Sequence, residues 1–177
     1  FQTDGGLAVR PMLLAQERIH ELSSHLMLFY TGVHRTASNV AQSYVHKIDD
    51  QRRQLRIMKD MVDEGISIIS SGQSIAAFGE LMHEGWLLKQ SLSAQVSNHE
   101  IDAIYTAARA AGALGGKITG AGGGGFLLLM ASPTKHAAIK QSLQHLIHVP
   151  FQFESSGSQI IFFDPDEDLS AAATERD

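Results

Sequence analysis

The chain has 177 residues, of which 44% are hydrophobic and 19% are charged. These values are near the averages for soluble folded proteins, so the composition excludes disordered, collagen-like and coiled-coil classes. The 14 Lys and Arg residues against 19 Asp and Glu give a net charge of −5. The basic residues form no cluster, so we expect no nucleic-acid partner. The absence of cysteine excludes disulfide scaffolds, thiol nucleophiles and thiolate metal sites.

The sequence gives no sign of a membrane protein. Its longest apolar runs, such as residues 126–131, are far shorter than the roughly 20 residues that span a bilayer, and no signal-peptide pattern opens the chain. We therefore expect a cytoplasmic protein with no membrane partner. Because the chain begins at Phe1 rather than Met, we also expect a cleavage point or a longer parent protein.

The first half of the chain predicts one strand and two long helices. An apolar run over residues 26–31, ended by Gly32, is typical of a buried strand. Residues 38–63 have the periodicity of an amphipathic helix, with a possible break near residues 49–50 and an end at Gly65. A second helix is predicted over residues 73–92.

Capping residues in the sequence mark the ends of two further predicted helices. Ser97 and Glu100 form a potential capping box, and Gly112 stands where a C-terminal cap is expected. A glycine run then leads into a second buried strand over residues 126–130. Ser132 followed by proline predicts the N-cap of a fourth helix. The apolar face of this fourth helix would comprise Ile139, Leu143, Leu146 and Ile147.

The C-terminal part predicts a hairpin, with strands over residues 151–154 and 159–163 around residues 155–158, followed by an acidic segment without periodicity. The predicted order is therefore strand, three helices, strand, helix and two strands. Such an order favours an α+β fold with a mostly antiparallel sheet.

The glycine-rich segment 115–126 is the most informative part of the sequence. A Walker loop fails because Ala111 and Ile118 stand where Gly and Ser or Thr are required. The dinucleotide pattern G-x-G-x-x-G does match from Gly120, but its glycines lead into a strand rather than a helix. Two alternatives remain open: a helix-to-strand loop whose N–H groups form an anion-binding concavity, and a tightly packed turn that binds nothing.

Three motifs together carry a family resemblance. The run 117–124, Lys-Ile-Thr-Gly-Ala-Gly-Gly-Gly, resembles the third signature motif of the GHMP kinases, the superfamily of galactokinase, homoserine, mevalonate and phosphomevalonate kinases. Residues 28–32 with 35–38, and residues 79–86, are similar to bacterial kinases of D-glycero-D-manno-heptose 7-phosphate. The resemblance extends over residues 26–164.

The resemblance implies a ferredoxin-like C-terminal domain, with helices on one face of the sheet. It divides the chain into a residual segment of the N-terminal half (1–25), the domain itself (26–164) and a disordered tail (165–177). The whole enzyme would use ATP and Mg²⁺ to phosphorylate a sugar, with a heptose 7-phosphate phosphorylated at its anomeric hydroxyl. The family's Gly-Ser-Ser phosphate loop does not occur here. The partner expected is therefore an N-terminal kinase half, without which the chain would be inactive.

The resemblance also implies site residues, although it assigns no catalytic residue and no metal ligand. Arg35 could pair with a substrate phosphate or cap local carbonyls, and Trp86 could face a sugar or belong to the core. The spacing of His83 and Glu84 is not that of a zinc helix. The alternative to a kinase is a non-catalytic ferredoxin-like module that binds a metabolite or a partner. Support of the ATP phosphates is expected from Lys117, Thr119, Gly120, Ala121, Gly122, Gly123 and Gly124, and substrate binding from Thr31, Gly32, Arg35 and Trp86.

Overall fold

The computed structural model describes residues 4–9, 11–33, 37–45, 48–154 and 157–160. The helices are α1 (Gln16–His25), α2 (Ala37–Val45), α3 (Arg52–Ser70), α4 (Ala76–Gln90), α5 (His99–Ala110) and α6 (His136–Ser142), the last preceded by a 3₁₀ turn over Pro133–Lys135. The strands are β1 (Leu26–Tyr30), β2 (Gly115–Ile118), β3 (Phe126–Met130) and β4 (Ile147–Val149). None of the described helices combines the length and apolar character that a membrane span requires.

The four strands form one sheet in the order β2-β3-β1-β4, and every neighbouring pair is antiparallel. The central strand β1 places Leu28 opposite Leu128 on one side and Val149 on the other. Helices connect β1 to β2 and β3 to β4, which is the βαββαβ connection of a ferredoxin-like fold. The structure thus confirms the predicted α+β class and antiparallel sheet.

One face of this sheet is buried by helices. Met27 and Phe29 of β1 are 1% exposed, and Leu127 and Leu129 of β3 are fully buried, whereas Leu28 on the opposite face is only partly buried. This alternation is the period-2 pattern of a sheet with one covered face. The helical side of the core is formed by residues including Val40, Trp86, Val96, Ile101, Ile104, Ala108, Ile139 and Leu143.

The predicted long helix is broken near the expected position, since α2 ends at Val45 and α3 begins at Arg52. The predicted end at Gly65 is wrong, because α3 continues to Ser70. Gly65 is instead buried against α4, where a Cβ atom would lie 3.3 Å from the ring of Phe78. The glycine therefore permits close helix packing rather than a C-terminal cap.

The predicted caps are partly wrong. Helix α5 is capped by Asn98, whose Oδ1 accepts from the Ile101 N–H at 3.0 Å, while the Ser97 hydroxyl donates to Asp102. Gly112 does follow the helix, with a φ of +108°. Ser132 does not cap α6 with its side chain, because its hydroxyl bonds to Thr134 and a 3₁₀ turn intervenes.

Strand β2 is absent from the sequence-based prediction, so the glycine segment joins two strands rather than a helix and a strand. Glycine is normally depleted in strands. Here a Cβ atom on Gly116 would lie 2.7 Å from the side chain of Leu129, and one on Gly115 would lie 2.8 Å from the backbone nitrogen of His83. The strand therefore needs glycine because α4 and β3 approach its backbone closely.

The predicted C-terminal hairpin is also wrong within the described residues. Residues 151–154 and 157–160 form no regular element, and residues 161–163 lie outside the described part. The strand instead occupies Ile147–Val149, opposite residues 28–30 of β1. Pro150 follows at once and has no N–H with which to continue the ladder. Ile147, predicted on the face of the fourth helix, is thus in β4 and 64% exposed.

Helix α1 lies in the segment expected to be residual, and the sequence-based prediction contains no such helix. Its Arg18 guanidinium donates to the carbonyl oxygens of Ile68, Ile69 and Gln73 at 2.7–3.0 Å, at the end of α3. The helix runs into β1 without an intervening loop. The predicted domain boundaries at residues 26 and 164 remain predictions.

Candidate functional site

The loop between β2 and β3, residues 119–125, holds most of its glycines in the left-handed region of φ. Gly120, Gly122, Gly123 and Gly125 have φ values of +74°, +113°, +78° and +89°. Residues with a Cβ atom rarely adopt this left-handed region. The density of glycine in the loop therefore has a local conformational cause.

Two protein carbonyl groups anchor the loop. The Gly123 N–H donates to the carbonyl oxygen of Val96 at 2.7 Å, and the Gly125 N–H donates to that of Val33 at 2.8 Å. The side-chain amide of Asn98 donates to the Gly123 carbonyl at 3.2 Å. The loop is thus fixed both to the segment before α5 and to the segment after β1.

Thr31, predicted to bind substrate, contacts the same loop. Its backbone N–H and its hydroxyl each donate to the Gly125 carbonyl oxygen at 2.8 Å, and its hydroxyl oxygen accepts from the Val33 N–H at 3.2 Å. Gly32 is exposed, with a φ of +74°. Arg35 lies outside the described residues. Thr31 and Gly32 therefore form one edge of the glycine loop.

Four of the loop's N–H groups donate no hydrogen bond to any described residue: those of Gly120, Ala121, Gly122 and Gly124. Successive N–H groups in left-handed glycine conformations form concavities that favour anions. At the same time a Cβ atom on Gly122 would lie 2.7 Å from the Val96 carbonyl oxygen. The loop therefore combines the two alternatives left open by the sequence: it is tightly packed, and it retains unpaired donors.

Two lysines flank this concavity. Lys89, near the end of α4, donates to the Gly120 carbonyl oxygen, while Lys117 of β2 is exposed. Burial lowers the pKa of the Lys89 ammonium group, and the positive charge of Lys117 lowers it further. An anion bound at the loop would relieve this repulsion. Thr119 is also exposed, and its hydroxyl donates to the Phe126 carbonyl oxygen at 3.3 Å.

Trp86 lies on α4 and is 1% exposed. Its indole ring packs against the ring of Tyr105 at 6.2 Å between centroids, and it lines a cavity between α3 and α4. The indole N–H is buried without an acceptor in the described part of the chain. The structure thus places Trp86 in the core and also at a cavity wall, so a contact with sugar stays a prediction.

His83, one turn before Trp86, belongs to a polar pair. Its Nδ1 and the Tyr105 hydroxyl share a hydrogen bond at 2.8 Å. Burial raises the pKa of Tyr105 to about 12, against the opposing effect of Arg109, so its hydroxyl is neutral at physiological pH. Glu84 is exposed, and no group of three or more His, Asp or Glu among the described residues could hold a metal ion.

Sequence reasoning missed several residues that build the site. Val33 and Val96 contribute only backbone carbonyl groups, for which the sequence contains no signal. Asn98 could have been recognised, because Asn is a preferred N-cap residue and it stands directly before α5. No local feature of the sequence predicts the contact between Lys89 and the loop, because this contact depends on how α4 packs against β2.

A comparison with protein families matches part of the chain. The family described as GHMP kinases C terminal matches residues 66–147, which include α4, α5 and the whole glycine loop. Over these residues the chain is similar to the C-terminal domain of GHMP kinases. This match confirms the resemblance predicted from the motifs at residues 79–86 and 117–124.

Individual relatives agree with this family. The D-glycero-alpha-D-manno-heptose 7-phosphate kinase of Campylobacter jejuni is 26% identical over 146 residues, 81% of this chain and 43% of that protein. The bifunctional fucokinase/GDP-fucose pyrophosphorylase of Arabidopsis thaliana is 27% identical over 143 residues, 78% of this chain and 13% of that protein. The crystal structure of Methanococcus jannaschii mevalonate kinase shares the fold, with a TM-score of 0.63 and 21% identity, covering 77% of this chain and 42% of that one. The chain thus spans less than half the length of these relatives.

Proposed function

We propose that the chain forms the C-terminal half of an ATP-dependent sugar kinase, which transfers the γ-phosphoryl group of ATP to the anomeric hydroxyl of a heptose 7-phosphate. The observation that carries this proposal is the glycine loop, where unpaired N–H groups lie beside Lys89 and Lys117. The choice of sugar is supported by the relative named a heptose 7-phosphate kinase. The cytoplasm is the proposed location.

In this proposal the loop supports the phosphate region. The N–H groups of Gly120, Ala121, Gly122 and Gly124 would donate to phosphoryl oxygens, and Lys117 and the Thr119 hydroxyl would hold the anion at the rim. Catalysis of phosphoryl transfer consists mainly of positioning and electrostatic stabilisation, so a fixed set of donors suits the reaction. The hydrogen bonds from Thr31 to Gly125 would keep the loop in place as the anion binds.

The acceptor sugar would lie at the edge of the loop formed by Thr31 and Gly32, with Arg35 pairing with its 7-phosphate. Mg²⁺ would neutralise charge on the transferred phosphate. The described residues offer no carboxylate cluster for the ion. We therefore assign Mg²⁺ and the Gly-Ser-Ser phosphate loop to an N-terminal domain, which would be the partner of this chain.

The test is ADP release in the presence of ATP and Mg²⁺, measured with the chain alone and with the chain combined with an N-terminal GHMP kinase domain. Heptose 7-phosphate, L-fucose and mevalonate serve as acceptors. We expect release only from the combined protein, and fastest with the heptose. Turnover near the ~10 s⁻¹ typical of enzymes from the chain alone would contradict the proposal. Binding of a sugar phosphate without ADP release from the combined protein would favour the non-catalytic module.

A further inference from the structure

A cavity of about 360 Å³ lies between α3 and α4. Its walls are apolar and include Met58, Met61, Ile66, Phe78 and Trp86. The volume is within the roughly 300–1,000 Å³ of small-molecule sites, which are mostly apolar with a few placed polar groups. The three methionines of the wall, including Met82, are flexible enough to adapt to a ligand.

The polar side-chain groups of the cavity are all donors. They are the ammonium groups of Lys89 and Lys117, while the indole nitrogen of Trp86, which also lines the cavity, is itself buried. Neither lysine forms a salt bridge with a described residue, and the indole N–H has no acceptor there. The lining therefore contains positive charge and unsatisfied donors but no carboxylate.

This lining does not suit a sugar. Sugar hydroxyl groups need both donors and acceptors, and a wall of methionine, isoleucine and phenylalanine side chains supplies neither. The cavity is also open to solvent along α3, where Val62 is 60% exposed and Ile66 is 45% exposed. A ligand with an apolar body can therefore enter without displacing the core.

We infer that this cavity binds an amphiphilic anion, with its apolar tail between α3 and α4 and its anionic head at Lys89 and Lys117. The head group would lie beside the glycine loop, because Lys89 also contacts the Gly120 carbonyl. Binding would thus change the charge available to an anion at the loop. The inference does not depend on the kinase assignment, because it concerns binding to the chain without nucleotide or sugar.

Trp86 is the only tryptophan of the chain, so its fluorescence reports directly on the cavity. The experiment titrates the full 177-residue chain with decanoate below its micelle concentration, in the absence of ATP, and repeats the titration by calorimetry. Decanol and decyltrimethylammonium are the matched uncharged and cationic probes. We expect decanoate to change the Trp86 emission and to bind most tightly, with an affinity that falls as salt is added.

Two variants test the location. Gly85 lines the cavity, and a Cβ atom there would lie 3.4 Å from the Met61 methyl group, an ordinary contact. Gly85→Leu should fill the cavity and abolish decanoate binding, with circular dichroism to confirm that the variant folds, while Ala103→Leu on the exposed side of α5 is the control. Lys117→Met should weaken decanoate roughly fivefold and leave decanol unchanged. Lys59→Met, on α3 but outside the cavity lining, is its control.

Several results would overturn the inference. Equal affinity for decanoate and decanol, or a Lys117→Met variant with unchanged decanoate affinity, would exclude recognition of an anionic head. Undiminished binding by Gly85→Leu would place the ligand elsewhere. The absence of any fluorescence change or heat with decanoate would exclude the site altogether. None of these results would bear on ADP release, so the kinase proposal would stand or fall separately.

Discussion

The backbone of Gly115 in β2 lies directly against the carbonyl group of Gly79 in α4, and no room remains for a Cβ atom on Gly115. This contact sets the distance between α4 and the sheet. It therefore also sets the distance between the α4 side chain of Lys89 and the loop that follows β2.

The Gly115→Ala variant should lose about 2 kcal/mol of unfolding free energy, the middle of the range for overpacked cores. The added methyl group would overlap the Gly79 carbonyl, which is backbone and cannot rotate away. Urea denaturation measures the loss. Gly72→Ala is the control, because a Cβ atom there meets nothing within 4 Å. Equal stability of the two variants would refute the close contact.

The Thr31→Val variant should lose about 1–2 kcal/mol of unfolding free energy. It removes the hydroxyl that donates to the Gly125 carbonyl and accepts from the Val33 N–H. Thr31→Ser keeps the hydroxyl and should retain most of the stability. Hydrogen exchange of the Val33 amide provides a local readout, and it should become faster in Thr31→Val alone. Unchanged stability in Thr31→Val, or a larger loss in Thr31→Ser, would show that the hydroxyl is not the main contribution.

Gly122→Ala should be more damaging than Gly120→Ala. Both residues have positive φ, but a Cβ atom on Gly122 would lie 2.7 Å from the Val96 carbonyl oxygen, whereas one on Gly120 meets nothing within 4 Å. Gly120→Ala should cost about 1 kcal/mol through backbone strain, and Gly122→Ala more. Thermal denaturation ranks the variants, and ADP release from the combined protein should be lowest for Gly122→Ala. The reverse order would show that steric contact with Val96 is unimportant.

Lys117→Ala should weaken phosphate binding and leave stability unchanged. Lys117 is exposed and makes no salt bridge with a described residue, so its removal creates neither a cavity nor an unpaired partner. Under the proposed function its loss should raise the KM for ATP about tenfold, as for a charge-assisted hydrogen bond, with a smaller effect on kcat. Lys59→Ala should leave the KM unchanged. A loss of unfolding free energy without a change in KM would assign Lys117 a structural role instead.

Unfolding free energy should fall as the pH is lowered through 6.5. Burial lowers the pKa of His136, although its hydrogen bond to the Ala131 carbonyl opposes this effect, and burial also lowers the pKa of His148. The charge of Lys140 lowers the pKa of both histidines further. In the unfolded chain both groups titrate near 6.5, so in the window below this value the unfolded state binds more protons and is favoured. The urea midpoint should therefore decrease between about pH 7.5 and about pH 5.5. His148→Gln should reduce the decrease; an unchanged decrease would exclude this histidine as a cause.

The sequence was sufficient to predict those strands whose signals lie within the strand itself. The apolar runs at residues 26–31 and 126–130 predicted β1 and β3, because short apolar runs bounded by a turn are typical of buried strands. Strands β2 and β4 were missed because their cause is tertiary. β2 contains glycines required by the backbone of α4, and β4 is defined by its pairing with β1, which is distant in the sequence.

The candidate site also has features that the local sequence predicts and features that depend on tertiary contacts. The motif at residues 117–124 indicated the loop and its family, and the structure places Thr31 against that loop as well. The role of the Val33 and Val96 carbonyl groups could not be predicted from the sequence, because every residue has a backbone carbonyl group. The identity of the loop was therefore predictable, and its anchoring was not.

The guanidinium group of Arg18, bonded to three carbonyl oxygens at the end of α3, has a mechanical consequence. Because α1 passes directly into β1, the same guanidinium ties the C-terminal end of α3 to the chain that enters the sheet. A change at that end of α3 would break or strain these three bonds, and its effect would then reach β1 through α1.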